Sequence, residues 1–408
     1  MVQLVNNVPE RPKTKLVFFD FITHYGGAQR STVLLCERLK PFYNIQIIDA
    51  YGCCKPYLTD ISLNALPLHV LKGNSREVVI GNNTARHLRF LSIARQTPGF
   101  ISLIFELNKI INQIAPDLIW TNNVKALLFL SFCKKFNNVL LGFYAHTWGL
   151  KKQIHWLQRF LIRKYADIIF AVSDPTRNAM VSWGVDRNKI DVVHPAMDFD
   201  RLKGISTKHL KHHLIKKPLD FFILVPATLL HAKGQHTVVG AVKWLKERDG
   251  NRKYNIWFAG DIGVGDTSGY LKRLKSLVQD SGLDDKVQFL GWRDDIPNLM
   301  NCADVVVLPS HTEGLPLVIQ EAIMLRRPVV TTGVGGIPDL IQDGKTGFLV
   351  DIEDEVALAE KIQFIAENGK AVNEMVNHAY NHYIDRFNSK LQLKRFRSIV
   401  EKALSTQR

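Results

Sequence analysis

Two glutamates eight residues apart give this chain its strongest chemical signal. Glu313 and Glu321 lie in SHTEGLPLVIQEA, residues 310–322, where a helix is predicted from about Leu317. Carboxylates accept hydrogen bonds from sugar hydroxyls, and backbone N–H groups at the start of a helix bind phosphate. Both glutamates could instead be solvated, but Glu321 stands among apolar residues of that helix. The segment therefore predicts a site for a ligand that carries hydroxyls and phosphate.

Two other loops precede predicted helices and have features that suit an anion. In THYGGAQR, residues 23–30, Gly26 and Gly27 let the backbone approach a ligand closely. In HAKGQH, residues 231–236, Lys233 places an ammonium group beside a helix N-terminus, which suits a diphosphate. Neither loop matches the dinucleotide-binding or Walker pattern, so each by itself is also compatible with an ordinary turn.

Three more loops follow predicted strands. GDIGVG at residues 260–265 and TTGVGGIPD at residues 331–339 are rich in glycine, which suits either a ligand or a flexible loop. YAHTWG at residues 144–149 contains His146. A lone histidine is more often structural than catalytic, and only its position at a strand end makes His146 a candidate.

Strands that alternate with helices would position all of these loops. Apolar strands separated by helices indicate parallel sheets covered on both faces, and such sheets bind ligands at the carboxyl ends of their strands. The first set of predicted strands is Leu16–Ile22, Ile45–Asp49, Asp117–Thr121, Val139–Ala145, Ile168–Val172 and Asp191–Val193. The second set is Phe221–Pro226, Asn255–Ala259, Val287–Leu290, Val305–Leu308 and Pro328–Thr331.

A polar, basic stretch without clear periodicity, residues 195–219, separates the two sets of strands. We therefore predict an α/β fold with two doubly wound, Rossmann-like domains, over residues 1–200 and 201–385. A Lys- and Arg-rich amphipathic stretch, Ser389–Leu404, predicts a final helix. Residues 386–408 are expected to pack back toward the first domain.

Composition excludes several classes of protein. The 408 residues are 46% hydrophobic and 22% charged, which excludes a disordered chain, a collagen and a disulfide-rich miniprotein. The longest apolar runs are far shorter than the about 20 residues of a membrane span. The first 15 residues lack the apolar core of a signal peptide, so we expect a cytoplasmic protein. The five cysteines form no CxxC pair and are expected to be reduced thiols.

The positive charge points to an anionic partner. Lys and Arg number 53 against 38 Asp and Glu, a net charge of +15, and residues 1–200 hold 24 basic and 14 acidic residues. Nucleic acid, anionic lipid and a phosphorylated substrate all fit such a field, but no nucleic-acid-binding motif is present. Residues 84–114 and 151–164 interleave basic with apolar and aromatic residues. That pattern fits a peripheral membrane contact, and equally the ordinary amphipathic helices of a soluble domain.

Taken together, these motifs resemble the retaining GT-B glycosyltransferases of family 4, the glycosyl transferases group 1. The resemblance spans nearly the whole chain and is clearest from about residue 140 to 350. Its most specific part is the E-x7-E signature, matched by Glu313 and Glu321. Supporting matches are Gly26-Gly27, His146, AVSDPTRN at Ala171–Asn178, VVHPAMD at Val192–Asp198, Lys233-Gly234 and VGGIPDLIQDGKTGFLV at Val334–Val350.

The resemblance implies a GT-B fold whose two domains face each other across a cleft. It implies a hexosyltransferase that moves a sugar from a UDP- or GDP-linked donor to a glycan or lipid-linked acceptor in cell-envelope polysaccharide or glycolipid synthesis. Catalytic roles fall to His146, Lys233 and Glu313, with Lys233 neutralising the departing diphosphate and no protein nucleophile assigned. Donor-binding roles fall to Gly27, Thr228, Arg293, Gly314, Leu315, Pro316 and Glu321.

No metal or other cofactor is expected from this resemblance, and no nucleic acid. The Asp198–Asp200 DxD is interpreted as a coincidence, since it lies in the connection between the domains. The chain departs from the family at Thr228, where an Arg is frequent, and at Asp339, where a Glu is common. His194-Pro195 replaces the usual Asn-Gly. A non-catalytic GT-B scaffold, a sugar-nucleotide epimerase and a nucleic-acid-binding protein remain alternatives.

Overall fold

The computed structural model describes most of residues 13–407. Outside the description lie 24, 72–85, 135–138, 147–155, 196–201, 203–219, 249–251, 263–268 and 388. Several predicted features fall there, namely the Asp198–Asp200 motif, nearly all of the 195–219 stretch, residues 147–149 of YAHTWG and residues 263–265 of GDIGVG.

The chain divides into two compact units. One comprises Met1–Tyr144, Trp156–Ile169 and Ile399–Arg408, and the other comprises Ala145–His155 and Phe170–Ser398. The domain boundaries given above stay predictions. In the described part of the chain, no helix is both long and apolar enough to span a bilayer.

The first sheet has seven strands in the order β3-β2-β1-β4-β5-β6-β7. Pairing is parallel from β3 through β5. The strands are β1 Lys15–Asp20, β2 Asn44–Asp49, β3 Leu68–Val70, β4 Leu118–Thr121, β5 Leu140–Ala145, β6 Ile168–Ala171 and β7 Ile190–Val192. The helices of this half are α1 Gly27–Leu39, α2 Lys55–Leu63, α3 Arg86–Ile114, α4 Val124–Cys133, α5 Trp156–Tyr165 and α6 Asp174–Ser182.

The second sheet has six strands in the order β10-β9-β8-β11-β12-β13, and every pair is parallel. Its strands are β8 Asp220–Val225, β9 Lys253–Ala259, β10 Val287–Gly291, β11 Val305–Leu308, β12 Val329–Thr332 and β13 Phe348–Val350. The helices are α7 Gln235–Arg248, α8 Tyr270–Asp280, α9 Ile296–Cys302, α10 Leu317–Met324, α11 Ile337–Leu340, α12 Glu355–Glu367, α13 Gly369–Phe387 and α14 Ser389–Gln407.

These two parallel sheets confirm the predicted doubly wound α/β class. The strands are nearly continuous apolar runs because helices cover both of their faces; β11 and β12, for example, are buried throughout. The predicted strand Leu16–Ile22 and helix Leu317–Leu325 match β1 and α10 within two residues at each end. The three-residue strands β3 and β13 were not predicted.

Strand order decides which loops meet. In the second sheet the chain runs from β8 outward to β10, then returns to place β11 on the other side of β8. Loops that follow neighbouring parallel strands emerge at the same edge, and the point where the order reverses opens a crevice between them. The segments after β8 and β11, which carry Lys233 and Glu313, therefore lie side by side.

Candidate active site

A tight turn after β8 presents Lys233. The turn is a single 3-10 turn, His231–Lys233, and it ends at Gly234 in the left-handed conformation with φ of 69°. A Cβ atom on Gly234 would overlap the carbonyl oxygen of Pro309, just after β11. Only glycine meets both conditions without strain, so Gly234 lets the two segments approach closely.

Lys233 and Glu313 form an ion pair across these two segments. Lys233 Nζ lies 2.6 Å from Glu313 Oε1, and the Ser310 hydroxyl donates to the same oxygen at 2.7 Å. The backbone N–H of His311 donates to the Ala232 carbonyl at 2.8 Å, which ties the segments together. The Lys233 side chain is 26% exposed and that of Glu313 is 10% exposed. The ammonium group is thus paired on one side and open to water on the other.

Gly314 continues this surface against the loop after β12. Its carbonyl accepts the N–H of Gly336 at 2.6 Å. A Cβ on Gly335 would overlap the carbonyl oxygen of Glu313. The backbones of the two loops are therefore in direct contact, which explains the glycines of TTGVGGIPD.

The helix that carries Glu321 begins in the same loop. Pro316 is the N-cap residue of α10, and Leu315 before it is 6% exposed. Glu321 lies in the second turn and is 5% exposed. Gln320 accepts a hydrogen bond of 2.8 Å from Tyr383 of α13, which anchors the helix. Because its carboxylate is enclosed, Glu321 is not solvated, which was the alternative interpretation of the sequence.

His146 lies next to Gly314. A Cβ on Gly314 would overlap the carbonyl oxygen of His146, at the end of β5. The imidazole Nε2 is enclosed, and burial lowers the pKa of His146 to about 4. The ring is therefore neutral at pH 7, able to donate or accept a hydrogen bond but not to act as a cation.

Thr228 and Arg293 lie in the segments that follow β8 and β10. Thr228 is exposed, and its carbonyl accepts a 2.9 Å hydrogen bond from Gln235. Arg293 follows β10, two strands from β8, and pairs with both oxygens of Asp295 at 2.7 and 2.6 Å. This pairing raises the pKa of Arg293. The adjacent Trp292 is 56% exposed, a flat surface on which a base could stack.

Gly27 is the first residue of α1, in the unit that begins the chain. The Gln29 side chain accepts the N–H of Gly26 at 3.1 Å and caps this helix. A Cβ on Gly27 would meet no atom within 4 Å among the described residues. The space around it suits a ligand, and the role predicted for Gly27 stays a prediction.

Models of known protein families match both halves of the chain. The model for Glycosyl transferases group 1 matches residues 207–382, and the model for Glycosyltransferase Family 4 matches residues 25–201. This chain belongs to the GT4 family of glycosyltransferases. Together the two matches cover most of its length, in the order that the sequence motifs indicate.

Individual curated relatives of this chain carry glycosyltransferase names. A protein of Escherichia coli K12, proposed as the colanic acid biosynthesis glycosyltransferase WcaL, is 29% identical over 53% of this chain and 54% of its own length. A UDP-Gal:alpha-D-GlcNAc-diphosphoundecaprenol alpha-1,3-galactosyltransferase of Escherichia coli is 26% identical over 59% of this chain and 61% of its own length. The aligned region thus spans only about half to three fifths of these curated relatives.

A solved structure confirms the GT-B fold. Anabaena Alr3699/HepE, in complex with UDP-glucose, superposes with a TM-score of 0.80 at 20% identity. The match covers 95% of this chain and 99% of that one.

Sequence reasoning missed a cluster of ionisable residues beside Lys233 in this glycosyltransferase. His231, His236, His311 and Glu353 each offer one atom that could hold a metal ion, all within 4.8 Å of one another. Burial lowers the pKa of both His236 and His311. The only sequence signal is the pair of histidines five apart in HAKGQH, because strand order brings in the other two members.

A second missed residue is Asp20, at the carboxyl end of β1. It is 6% exposed, its Oδ1 accepts the N–H of Phe21 at 3.0 Å, and its Oδ2 has no hydrogen-bond partner among the described residues. Burial raises its pKa to about 7. An apolar run such as LVFFD gives no indication that its final carboxylate is enclosed.

Proposed function

We propose that this protein transfers a sugar from a UDP- or GDP-linked donor to a glycan or lipid-linked acceptor, with retention of anomeric configuration, in the synthesis of a cell-envelope polysaccharide or glycolipid. The Lys233–Glu313 pair, on adjoining segments after two neighbouring strands, carries the proposal. Relatives named for colanic acid synthesis, for amylovoran synthesis and for galactosyl transfer to GlcNAc-diphosphoundecaprenol support the choice of acceptor. The neighbour in complex with UDP-glucose supports the choice of donor.

Departure of the diphosphate is the step that the site would accelerate. Breaking the sugar–phosphate bond leaves positive charge on the sugar and additional negative charge on the diphosphate. The exposed side of the Lys233 ammonium would bind the negative charge on the diphosphate. The backbone N–H groups of Gly314, of Leu315 and of the helical turn after Pro316 would lie beside it. Glu313 and Glu321 would then accept hydrogen bonds from the hydroxyls of the sugar and the ribose.

Retention would need no protein nucleophile in this site. The departing phosphate would take the proton of the acceptor hydroxyl on the face where the new bond forms. His146 is neutral, so it would orient the sugar or acceptor by hydrogen bonding and not by charge. Lys233 and the helix N-terminus would supply the positive charge that a divalent metal supplies elsewhere, so we expect transfer without one.

The acceptor side of the proposal includes an anionic membrane surface. Six large apolar side chains are exposed on α3, α4 and α5, three helices that pack in succession. Arg163 and Lys164, also exposed, stand at the end of α5. Apolar side chains beside basic ones suit the interface of an anionic bilayer, which supports a peripheral, cytoplasmic-face location. The six are Ile101, Phe105, Phe132, Trp156, Leu157 and Phe160.

Thermal unfolding against UDP, GDP, ADP and CDP, with and without magnesium, tests the donor site. A ligand at 100 times its Kd adds about 2.7 kcal/mol to the free energy of unfolding. We expect one nucleotide to raise the Tm equally with and without magnesium. No shift with any of the four would favour the non-catalytic scaffold instead.

Co-sedimentation with vesicles tests the membrane surface. The protein should sediment with vesicles that contain anionic lipid at low salt, and a Trp156→Ser, Phe160→Ser double variant should sediment less. A Phe364→Ser variant, altered at an exposed aromatic of α12, is the control. Failure of the parent protein to sediment would remove the membrane from the proposal.

A further inference from the structure

None of the roles above uses the histidine cluster formed by His231, His236, His311 and Glu353. The rings of His231 and His236 stack with centroids 4.5 Å apart, and the ring of His311 stands edge-on to His231 at 5.2 Å. His231 and Glu353 are exposed, and the other two are half-buried. The cluster is thus open to solutes on one side and enclosed on the other.

A chain of hydrogen bonds favours one tautomer of His236. Gln235 donates through Nε2 to the Thr228 carbonyl at 2.9 Å, which makes Oε1 its acceptor atom. The Tyr270 hydroxyl donates to that Oε1 at 3.2 Å. Having used its proton, the tyrosine oxygen accepts from His236 Nδ1 at 3.1 Å. The Tyr270 oxygen also accepts the His236 backbone N–H at 3.2 Å, and the arrangement favours the tautomer with the proton on Nδ1 and a lone pair at Nε2.

That lone pair faces a carboxylate. Nε2 of His236 and Nε2 of His311 each lie 3.5 Å from Glu353 Oε1. Both nitrogens are enclosed and make no hydrogen bond to any described residue. A nitrogen lone pair and a carboxylate oxygen repel each other unless a proton or a metal ion lies between them, and leaving such atoms unsatisfied costs free energy.

We propose that His231, His236, His311 and Glu353 bind one Zn²⁺ ion. Three imidazoles and one carboxylate match the nitrogen and oxygen ligands and the coordination number that zinc prefers. Four ligands at about 2.0–2.2 Å from a tetrahedral zinc lie about 3.4 Å from one another. The donor atoms of this cluster lie within 4.8 Å of one another, so rotation of the exposed His231 and Glu353 side chains would have to bring them closer. Tyr270 on His236 Nδ1 is the outer contact that orients a metal-binding imidazole.

The ion would join the segments that carry the proposed catalytic pair. His231 and His236 flank Lys233, His311 lies two residues before Glu313, and Glu353 adds the turn after β13. A zinc ion bound there would have a structural role and would fix the positions of Lys233 and Glu313 relative to each other. This consequence rests on the proposed function, whereas the metal site itself does not.

Metal binding is measured on the full chain without an affinity tag, after dialysis against a chelator. We expect one equivalent of Zn²⁺ by calorimetry, and visible absorption bands of four-coordinate Co²⁺ that Zn²⁺ displaces. Mg²⁺ at the same concentration should give neither signal, because it prefers oxygen ligands. His236→Gln and Glu353→Gln should abolish or weaken both signals, and Tyr270→Phe should weaken zinc binding by about 10–100-fold.

His378→Gln, at an exposed histidine of α13, is the matched control and should bind as the parent does. No binding by the parent protein would overturn the proposal, as would unchanged binding by His236→Gln and Glu353→Gln. Circular dichroism verifies that each variant is folded. Because the signal is metal binding itself, a protein that binds zinc but transfers no sugar overturns the proposed function and leaves the metal site intact.

Discussion

Replacing Lys233 by methionine tests the cationic group of the proposed site. Methionine keeps most of the length of the side chain and removes its charge. The change leaves Glu313, 10% exposed, with Ser310 as its hydrogen-bond donor at the shared oxygen. Any diphosphate bound there would lose its ammonium partner.

Two effects follow, and their sizes differ. Removing one preorganised group that stabilises transition-state charge costs a factor of about 10²–10³ in rate. We therefore expect Lys233→Met to lower the rate of transfer at least about 100-fold. The free energy of unfolding should change much less, by about 1–2 kcal/mol, because the pair is partly exposed and water screens the carboxylate that is left.

Lys286→Met is the matched control. Lys286 pairs with Asp285 at the same 2.6 Å, and its side chain is 24% exposed against 26% for Lys233. It precedes β10, away from the segments after β8 and β11. Steady-state rates, nucleotide-induced Tm shifts and urea unfolding are compared for both variants and the parent. If Lys233→Met turned over at the rate of Lys286→Met, the assignment of Lys233 would be refuted.

Three further changes probe other parts of the account. Glu321→Gln should lower the rate of transfer at least about 100-fold with the fold intact. Glu360→Gln, on the exposed face of α12, is the control and should keep the parent's rate. Equal rates for the two variants would contradict the donor role of Glu321. Gly234→Ala should lower the free energy of unfolding by at least about 2 kcal/mol in urea titrations, because the new methyl group meets the Pro309 carbonyl. Gly344→Ala should lower it less, because Gly344 has nearly the same φ but no atom within 4 Å of the added Cβ. Asp20 binds its proton more tightly when folded, so the parent loses stability as pH rises from about 4 to 7. Asp20→Asn should lack this loss, so its free energy of unfolding should rise relative to that of the parent by on the order of 4 kcal/mol between pH 4 and pH 8. If the difference in unfolding free energy between variant and parent did not change with pH, the raised pKa of Asp20 would be refuted.

Much of the site was predictable because its signals are local in sequence. An apolar strand, a glycine-containing turn and a helix follow one another at Lys233 and again at Glu313. Each unit predicts its own loop position, and the rule for parallel sheets predicts that neighbouring loops meet. The enclosed position of Glu321 was predictable in the same way, since a helix that starts at Leu317 buries it.

What the sequence could not predict depends on strand order and on pairs that form after folding. His311 and Glu353 reach His231 only because β11 and the end of β13 lie on the same side of β8. The short strand β13 has too few residues for a periodic signal. Arg293 was predicted to bind the sugar donor. The pattern GWRDD does not reveal that its Nε and Nη2 atoms both pair with Asp295.

Product analysis tests the central claim most directly. The protein is incubated with UDP- and GDP-sugars and a lipid-linked acceptor preparation, and nucleotide and sugar products are identified by mass spectrometry and NMR. We predict release of the nucleoside diphosphate together with a new glycosidic bond that keeps the donor's anomeric configuration. An isomerised nucleotide sugar without release of the diphosphate would indicate an epimerase and contradict the account, and a product of inverted configuration would contradict the retaining mechanism.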